Sequence, residues 1–565
     1  MSETPKKQSF LHGTMLLALS TAIVKVIGAF YSIPLKGIIG DVAFSYYSTA
    51  YDIYMILLMI STAGLPVAMS RMISEASSLG QYRQVRKIYT VSRTIFLTLG
   101  LIGTLLMMAF CKQLADFQEQ PDAWVAIVTL GPCCFLICLM SAYRGFFQGQ
   151  SNMTPTSVSQ VLEAAVKLIV GLSAAGLAIF LIKTQSLAAG GAIFGVTMSC
   201  LVSTMYLNYC FRKAYKDLPV SNEEVTSGKD IAKGLLAIAI PITIGSAGLQ
   251  LLTALETKVY MRQLKESFDA TMSGAEIQAL MLAYKYDGDP AALSRAEAIQ
   301  WLADNQKGVY NFVQKIFNMP CAFITPITIS VIPAITAQIT RGEAGDARKT
   351  EESAARVAGL ISAPCAVGLA VLAGPVTALL GGYSGLKLEL STSLMIIMGI
   401  CIVFNAAVLL TNAIMQAHGH VNLPVINMFV GGIVKLAAIW ILTANPNIGI
   451  LGTPIGSLLC YMSITALNLI SMRKVLPQAP SVLRNMGRSI LAAMIMGVFV
   501  FGAWYALESL LGDAGGRLIS LITCAVPIVV GVVVYLIAAI KLRAITREDC
   551  LLLPKGEKIA KLLKL

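Results

Sequence analysis

Between residues 11 and 540 the chain runs, again and again, through apolar stretches of about 20 residues bounded by charges or by Gly, Pro and Asn clusters. No water-soluble fold accommodates many such stretches. In hydrocarbon a backbone must satisfy its own hydrogen bonds, so each stretch is read as a helix. The expected spans are 11–35, 46–72, 88–111, 122–147, 156–182, 187–211, 232–261, 309–339, 354–380, 391–416, 423–444, 449–471, 487–510 and 517–540, fourteen in all. Alternation of the strand type is missing, which makes the expected class an all-α polytopic membrane protein. The first span has no small-residue cleavage site and runs directly into the second, so no removable signal peptide is read. Composition agrees: 56% of the 565 residues are hydrophobic and 13% charged, about half the charge of a soluble domain.

The formal net charge of +13 then reports topology rather than a nucleic-acid partner. With the N-terminus inside, about 27 of the 43 Lys and Arg residues fall in cytoplasmic segments and about ten on the other side, five of these in one long loop, 262–308. The expectation is a multi-pass plasma-membrane protein with both termini cytoplasmic. Of twelve cysteines, Cys133, Cys134, Cys138, Cys200, Cys401, Cys460 and Cys524 lie within apolar runs without metal-ligand spacing. They read as small buried apolar residues.

The chain also repeats itself. RGFFQGQSNMTPTSVSQVLEAAVKL at 144–168 reappears, 268 residues on, as NAIMQAHGHVNLPVINMFVGGIVKL at 412–436, which places Gln148 on Gln416 and Lys167 on Lys435. A second pair, 65–87 and 332–349, shares Pro66 with Pro333 and Arg86-Lys87 with Arg348-Lys349. The expected architecture is two pseudo-symmetric six-helix lobes in parallel orientation. These are an N-lobe over 1–228, a C-lobe over 229–476, a two-helix appendix over 477–545 and a basic amphipathic tail over 546–565. Transporters built from such repeats hold substrate between the repeats near the midplane and rock about it.

The run Arg144-Gly-Phe-Phe-Gln-Gly, then Asn-Met-Thr-Pro-Thr, then Ser159-Gln160 and Glu163, with Leu-Pro-Lys-Gly at 553–556, resembles the stage V sporulation protein B family. That family belongs to the multidrug/oligosaccharidyl-lipid/polysaccharide exporter superfamily. Within it the chain is similar to the fourteen-span lipid II flippases of Gram-positive bacteria. The resemblance implies a substrate, an undecaprenyl-diphosphate-linked sugar. It also implies basic residues on spans 1 and 8 as the diphosphate contacts, which fall on Lys25 and Lys315, where that family has Arg. Extra arginines of Gram-negative relatives are here Tyr31 and the apolar Leu58 and Met59.

Eight ionisable residues stand well inside spans: Lys25, Asp52, Glu163, Lys167, Glu256, Lys258, Lys315 and Lys435. Unrelieved, they would cost about 20–28 kcal/mol together, so a shared wet interior is expected. Thr21, Lys25, Gly28 and Ser32 form one stripe on span 1, and Asn311, Gln314, Lys315 and Asn318 another on span 8. Glu163 and Lys167 stand at the i,i+4 spacing of a helical ion pair. Lys435 has Gly431 in place of that carboxylate and reads as the freer cation. The eight sum to about +2, a sign that suits a diphosphate. Lys25, Lys315, Lys435 and Lys258 are the candidate diphosphate contacts, with snorkelling as the structural alternative for Lys258. Asp52, Glu163, Lys167, Glu256, Asn311, Gln314 and Asn318 are the candidate ion-pair, polar or coupling positions. No metal set is read, and His12, His418 and His420 lie near span ends.

In loop 262–308, Asp289-Pro290 and Ser294-x-x-Glu297 are helix-start signals, which place short helices at about 274–285 and 290–305. The tail 555–565 reads as an interfacial anchor. Without a phosphate-cradling Gly-Lys-Ser/Thr loop, ATP hydrolysis is not expected. Transport would run on a cation gradient (Na+ or H+), on the membrane potential or on product consumption. The expected activity is alternating-access movement of a lipid-linked peptidoglycan precursor to the outer leaflet, by a monomer, with membrane lipids as its other partners. The alternatives are a flippase for another lipid-linked polysaccharide, a cation-coupled multidrug exporter, and a non-transporting scaffold for cell-wall synthesis. A lysine excess disfavours cationic drugs, and a scaffold gains nothing from buried lysines.

Overall fold

A computed structural model describes residues 10–62, 64–182, 184–219, 223–420, 422–476, 479–511 and 517–544. Among the described residues there is helix and short connection but no strand. The chain divides into two compact units, Met1–Arg262 and Gln263–Leu565.

The first unit holds α1 (Phe10–Thr62), α2 (Leu65–Ser78), α3 (Tyr82–Ala109), α4 (Cys111–Phe117), α5 (Trp124–Gly149), α6 (Thr154–Ile182), α7 (Gln185–Lys216) and most of α8 (Gly228–Thr271). Helix α1 is two arms that meet at Gly40, whose φ of 77° and ψ of 178° only glycine adopts without strain. Lys36 and Asp41 flank this bend as a buried ion pair 3.5 Å apart. Helices α6 and α7 meet backbone to backbone: a Cβ on Gly195 would lie 2.3 Å from the Cα of Gly171. In lipid, helices associate through such close small-residue contacts rather than through hydrophobic exclusion. An aromatic core sits among the ends of α3, α5 and α7, where Tyr89 stacks on Phe211 at 4.3 Å and Phe146 meets Phe211 edge-on at 4.9 Å.

The second unit holds α9 (Gly274–Ala283), α10 (Arg295–Thr340), α11 (Ala344–Val371), α12 (Ala373–Gly381), α13 (Leu386–Ala417), α14 (Asn422–Thr443), α15 (Gly452–Val475), α16 (Val482–Leu511) and α17 (Arg517–Lys541). The duplication read from sequence recurs as packing within each unit. In the first, α3 packs on α5, α5 on α7 and α6 on α7; in the second, α11 packs on α13, α13 on α15 and α14 on α15. The two helices without a repeat counterpart, α16 and α17, pack on each other, and α16 lies on α11, where Met486 abuts Gly359.

Each expected span lies on helix, and among the described residues ten helices are long and apolar enough to cross a membrane: α3, α5, α6, α7, α11 and α13–α17. The expected cysteines in apolar runs are buried.

The insertion between α8 and α10 departs from expectation. Residues 274–283 do form a helix, opened by a Ser273–Glu276 capping box. The Ser294–Glu297 box, however, opens no short helix ending near 305 but the 46-residue α10. With α8 running to Thr271, the connection shrinks to 272–294. Charged Arg295, Glu297, Asp304 and Lys307 lower the hydropathy of a helix that continues through them. The basic tail lies outside the described residues.

Candidate functional site

In the first unit the interior polar groups gather where α1, α5 and α6 meet. Glu163 on α6 receives two hydrogen bonds, from Arg144 Nη2 on α5 at 3.0 Å and from Tyr54 OH on α1 at 3.2 Å. The Arg144 Nε also donates to Ser159 Oγ at 3.0 Å, one turn before Glu163. Arg144 and Glu163 side chains are only 11% and 20% exposed, so this is a largely desolvated, charge-assisted pair.

The pairing corrects the i,i+4 reading. Glu163 is taken by Arg144 from another helix, and among the described residues Lys167 makes no ion pair. Lys167 Nζ instead sits 4.4 Å from the Tyr51 ring centroid and 5.0 Å from that of Tyr31, and donates to the Tyr51 hydroxyl at 3.4 Å. Two ring faces and one phenol oxygen solvate this cation by cation–π attraction. The rings belong to a ladder on α1 in which Tyr47–Tyr51 and Tyr51–Tyr54 centroids lie 5.7 and 5.1 Å apart, because the spacing of four and three keeps them on one face. Arg144, which the sequence reading does not place among the ionisable residues inside spans, therefore belongs to the interior network.

The equivalent layer of the second unit is neutral. Asn468 Nδ2 donates to Thr411 Oγ1 and Asn412 Oδ1, both at 2.8 Å, while Asn427 Nδ2 donates to Asn468 Oδ1 at 2.8 Å and to Ser471 Oγ at 3.3 Å. At the 268-residue offset Asn412 stands for Arg144, Asn427 for Ser159 and Gly431 for Glu163. One repeat fills this layer with an ion pair and the other with an amide chain.

The remaining candidates fall as follows. Lys25 lies on α1, its side chain outside the described residues. Asp52 is half-buried on the tyrosine arm of α1, and Glu256 on α8 is 6% exposed. Lys258 sits 4.0 Å from the Phe117 ring centroid of α4, away from the Glu163 layer. Lys315 and Lys435 are half-buried on α10 and α14 and both are engaged by neighbours, so Lys435 is not a free cation. Asn311 is buried, Gln314 half-buried and Asn318 exposed.

The stripe on α10 extends further outward than its sequence reading. Gln300, Asp304, Lys307, Asn311, Lys315 and Asn318 follow one another at spacings of three and four. Asp304 and Lys307 are 1% and 0% exposed. Lys265 Nζ donates to Gln300 Oε1 at 3.2 Å, and Gln300 Nε2 donates to both Asp304 oxygens at 3.1 Å. His418, read as a residue without ligand partners, meets the buried carboxylate of Glu351 at 2.7 Å. Among the described residues no group of three His, Cys, Asp or Glu is arranged to hold a metal ion.

Known proteins share this sequence and architecture. The family described as polysaccharide biosynthesis protein matches residues 10–338. Stage V sporulation protein B of Bacillus subtilis (strain 168) is 25% identical over 474 residues, covering 83% of this chain and 85% of that protein. Lipid II flippase MurJ of the same organism is 23% identical over 441 residues, 75% of this chain and 76% of its own. The solved inward closed conformation of a lipid II flippase MurJ superposes with a TM-score of 0.64 at 13% identity, covering 94% of this chain and 99% of that one. The chain belongs to the polysaccharide biosynthesis protein family; the ten helices among its described residues that are long and apolar enough to cross a membrane make it a multi-pass membrane protein, with the fold of the solved lipid II flippase.

Proposed function

We propose that the protein is a flippase that carries a lipid-linked oligosaccharide, the peptidoglycan precursor lipid II, from the inner to the outer leaflet by alternating access. The observation that carries this reading is Lys167. Its ammonium is held inside the helices by tyrosine rings instead of a carboxylate, because Arg144 occupies the only neighbouring acid of its own helix face. A protein pays desolvation for such a charge where an anion is to be handled, and a diphosphate is the anion common to polyprenyl-linked glycans. Lys25, Lys315 and Lys435 extend the same sign of charge along α1, α10 and α14. Lysine offers phosphate a mobile point charge without locking one bidentate geometry, which suits capture on one side and release on the other.

In this reading the chain crosses the membrane fourteen times, as a monomer, with both termini in the cytoplasm. Moving an anion outward, away from a negative interior, gains about 2.3 kcal/mol per charge per 100 mV, and a Na+ or H+ gradient is the other candidate source. The similarity to stage V sporulation protein B and the family description favour one second reading, a flippase for a different lipid-linked polysaccharide.

The test replaces Lys25, Lys167 and Lys315 singly with Ala in cells that depend on this protein. Outer-leaflet lipid II is then measured at matched protein abundance. At least a tenfold fall in exposure is expected for Lys25→Ala and Lys315→Ala. Unimpaired exposure in all three variants removes the diphosphate assignment. Normal lipid II exposure after depletion of the whole protein, with no second flippase present, removes the substrate.

A further inference from the structure

The second unit carries a crevice of about 250 Å³ where α15 ends and α16 begins, lined by Leu469, Met472, Arg473, Pro480, Leu483 and Arg484 among others. At about 30 Å³ per water it holds roughly eight waters, the size of a small polar headgroup. Its walls are mostly apolar, yet two guanidiniums share it. Among the described residues neither Arg473 nor Arg484 has a hydrogen-bond, ion-pair or ring partner. The lining Ser481 hydroxyl donates to Glu352 at 3.4 Å, and that carboxylate is paired with Arg348 at 3.1 Å.

The position of Arg484 sharpens the point. It stands in the first turn of α16, where the helix dipole presents positive charge and a cation is unfavourable. Arg473 in the last turn of α15 adds a second positive to the same small volume. Two exposed guanidiniums and a helix N-terminus gather here, and the Glu352 carboxylate that reaches the lining is already paired with Arg348, which leaves their charge to an anion from outside. By the positive-inside count this end of the helices faces the cytoplasmic leaflet, whose surface is rich in anionic lipid. Arginine forks match phosphate oxygens bidentately, and the apolar wall of Leu469, Met472 and Leu483 suits the adjoining acyl chains.

We infer that this crevice is a binding site for the phosphate of a membrane lipid, held between Arg473 and Arg484, which ties the first turn of α16 to the end of α15. The site is separate from the interior lysines and does not depend on what the protein transports. Phosphate of this kind has two sources in the inner leaflet, an anionic phospholipid and a polyprenyl diphosphate, and the experiment distinguishes them.

Full-length protein, delipidated in detergent, is titrated with dioleoylphosphatidylglycerol and separately with undecaprenyl diphosphate, with retained lipid counted by native mass spectrometry. Arg473→Gln/Arg484→Gln is compared with the charge-matched Arg341→Gln/Lys349→Gln, whose residues lie in exposed surface pairs. Leu483→Glu keeps both guanidiniums and sets a carboxylate in the crevice. The expected result is at least a tenfold weaker phosphatidylglycerol affinity in the first double variant and in Leu483→Glu, with less than a twofold change in the control. If only undecaprenyl diphosphate shows that dependence, the phosphate site stands and the polyprenyl lipid is its source. Equal affinities for both lipids in all monodisperse variants overturn the site.

Discussion

At the scale of single residues, the Glu163 layer makes the sharpest claim. Removing one partner of a buried ion pair leaves an uncompensated charge and typically costs about 3–5 kcal/mol. With side chains 11% and 20% exposed, Arg144→Ala is expected at the low end, about 3 kcal/mol, measured as lost thermal stability in detergent. Glu163→Gln keeps one of the two acceptor oxygens that Tyr54 and Arg144 use and should cost less. The double variant Arg144→Ala/Glu163→Gln should recover part of the loss, and strict additivity would mean that the two side chains do not interact. The sequence shows that Glu163 and Lys167 share a helix face, because periodicity is local. It cannot show that a guanidinium from α5, 19 residues earlier in the chain, reaches the acid first. Tertiary packing decides between two partners of equal charge, and the loser, Lys167, ends among tyrosines.

At the scale of elements, α10 shows how a start signal and a hydropathy profile diverge. The Ser294–Glu297 box is legible because it needs only two residues three apart, and it forms as read. The Glu297 carboxylate is held below its ordinary pKa by hydrogen bonds from the Ser294 hydroxyl and then from its backbone N–H. A lowered acid contributes its stabilisation above the ordinary carboxylate range and loses it as pH falls through the lowered value. The protection of amides 295–299, relative to their intrinsic exchange at each pH, should therefore fall on acidification below about pH 4.5, the usual range for Glu, and Glu297→Gln should flatten that dependence. Ser294→Ala should cost about 1 kcal/mol of local helix stability at neutral pH, roughly a fivefold gain in exchange at those amides; unchanged exchange in both variants would show that tertiary contacts alone hold the first turn. The length of α10 escapes the sequence for a different reason. Buried Asp304 and Lys307 look like loop residues until Gln300, one turn earlier on the same helix, is seen to donate to the acid while Lys265 of α8 donates to Gln300.

For the whole molecule, the distribution of basic residues sets an orientation that cysteine labelling can check. In a background where accessible native cysteines are replaced, single cysteines at 345 and 478 are expected to react with a membrane-impermeant maleimide only after the cells are opened. One at 288 should react in intact cells. The reverse outcome would invert the assignment of sides. The class and the duplicated packing were legible because length, hydropathy and internal similarity are whole-chain properties that survive without coordinates.

The contact of Gly171 with Gly195 has a mechanical consequence. With no side chain between two backbones, α6 and α7 have nothing to ratchet past and no gap for an acyl chain to enter. Sliding either by one residue would drive a Cβ into the opposite main chain, so the two behave as a laminated beam. Any cycle the protein runs must carry that beam as one body, and the compliance must come from chain bends such as Gly40, where a single residue without a Cβ already turns the helix.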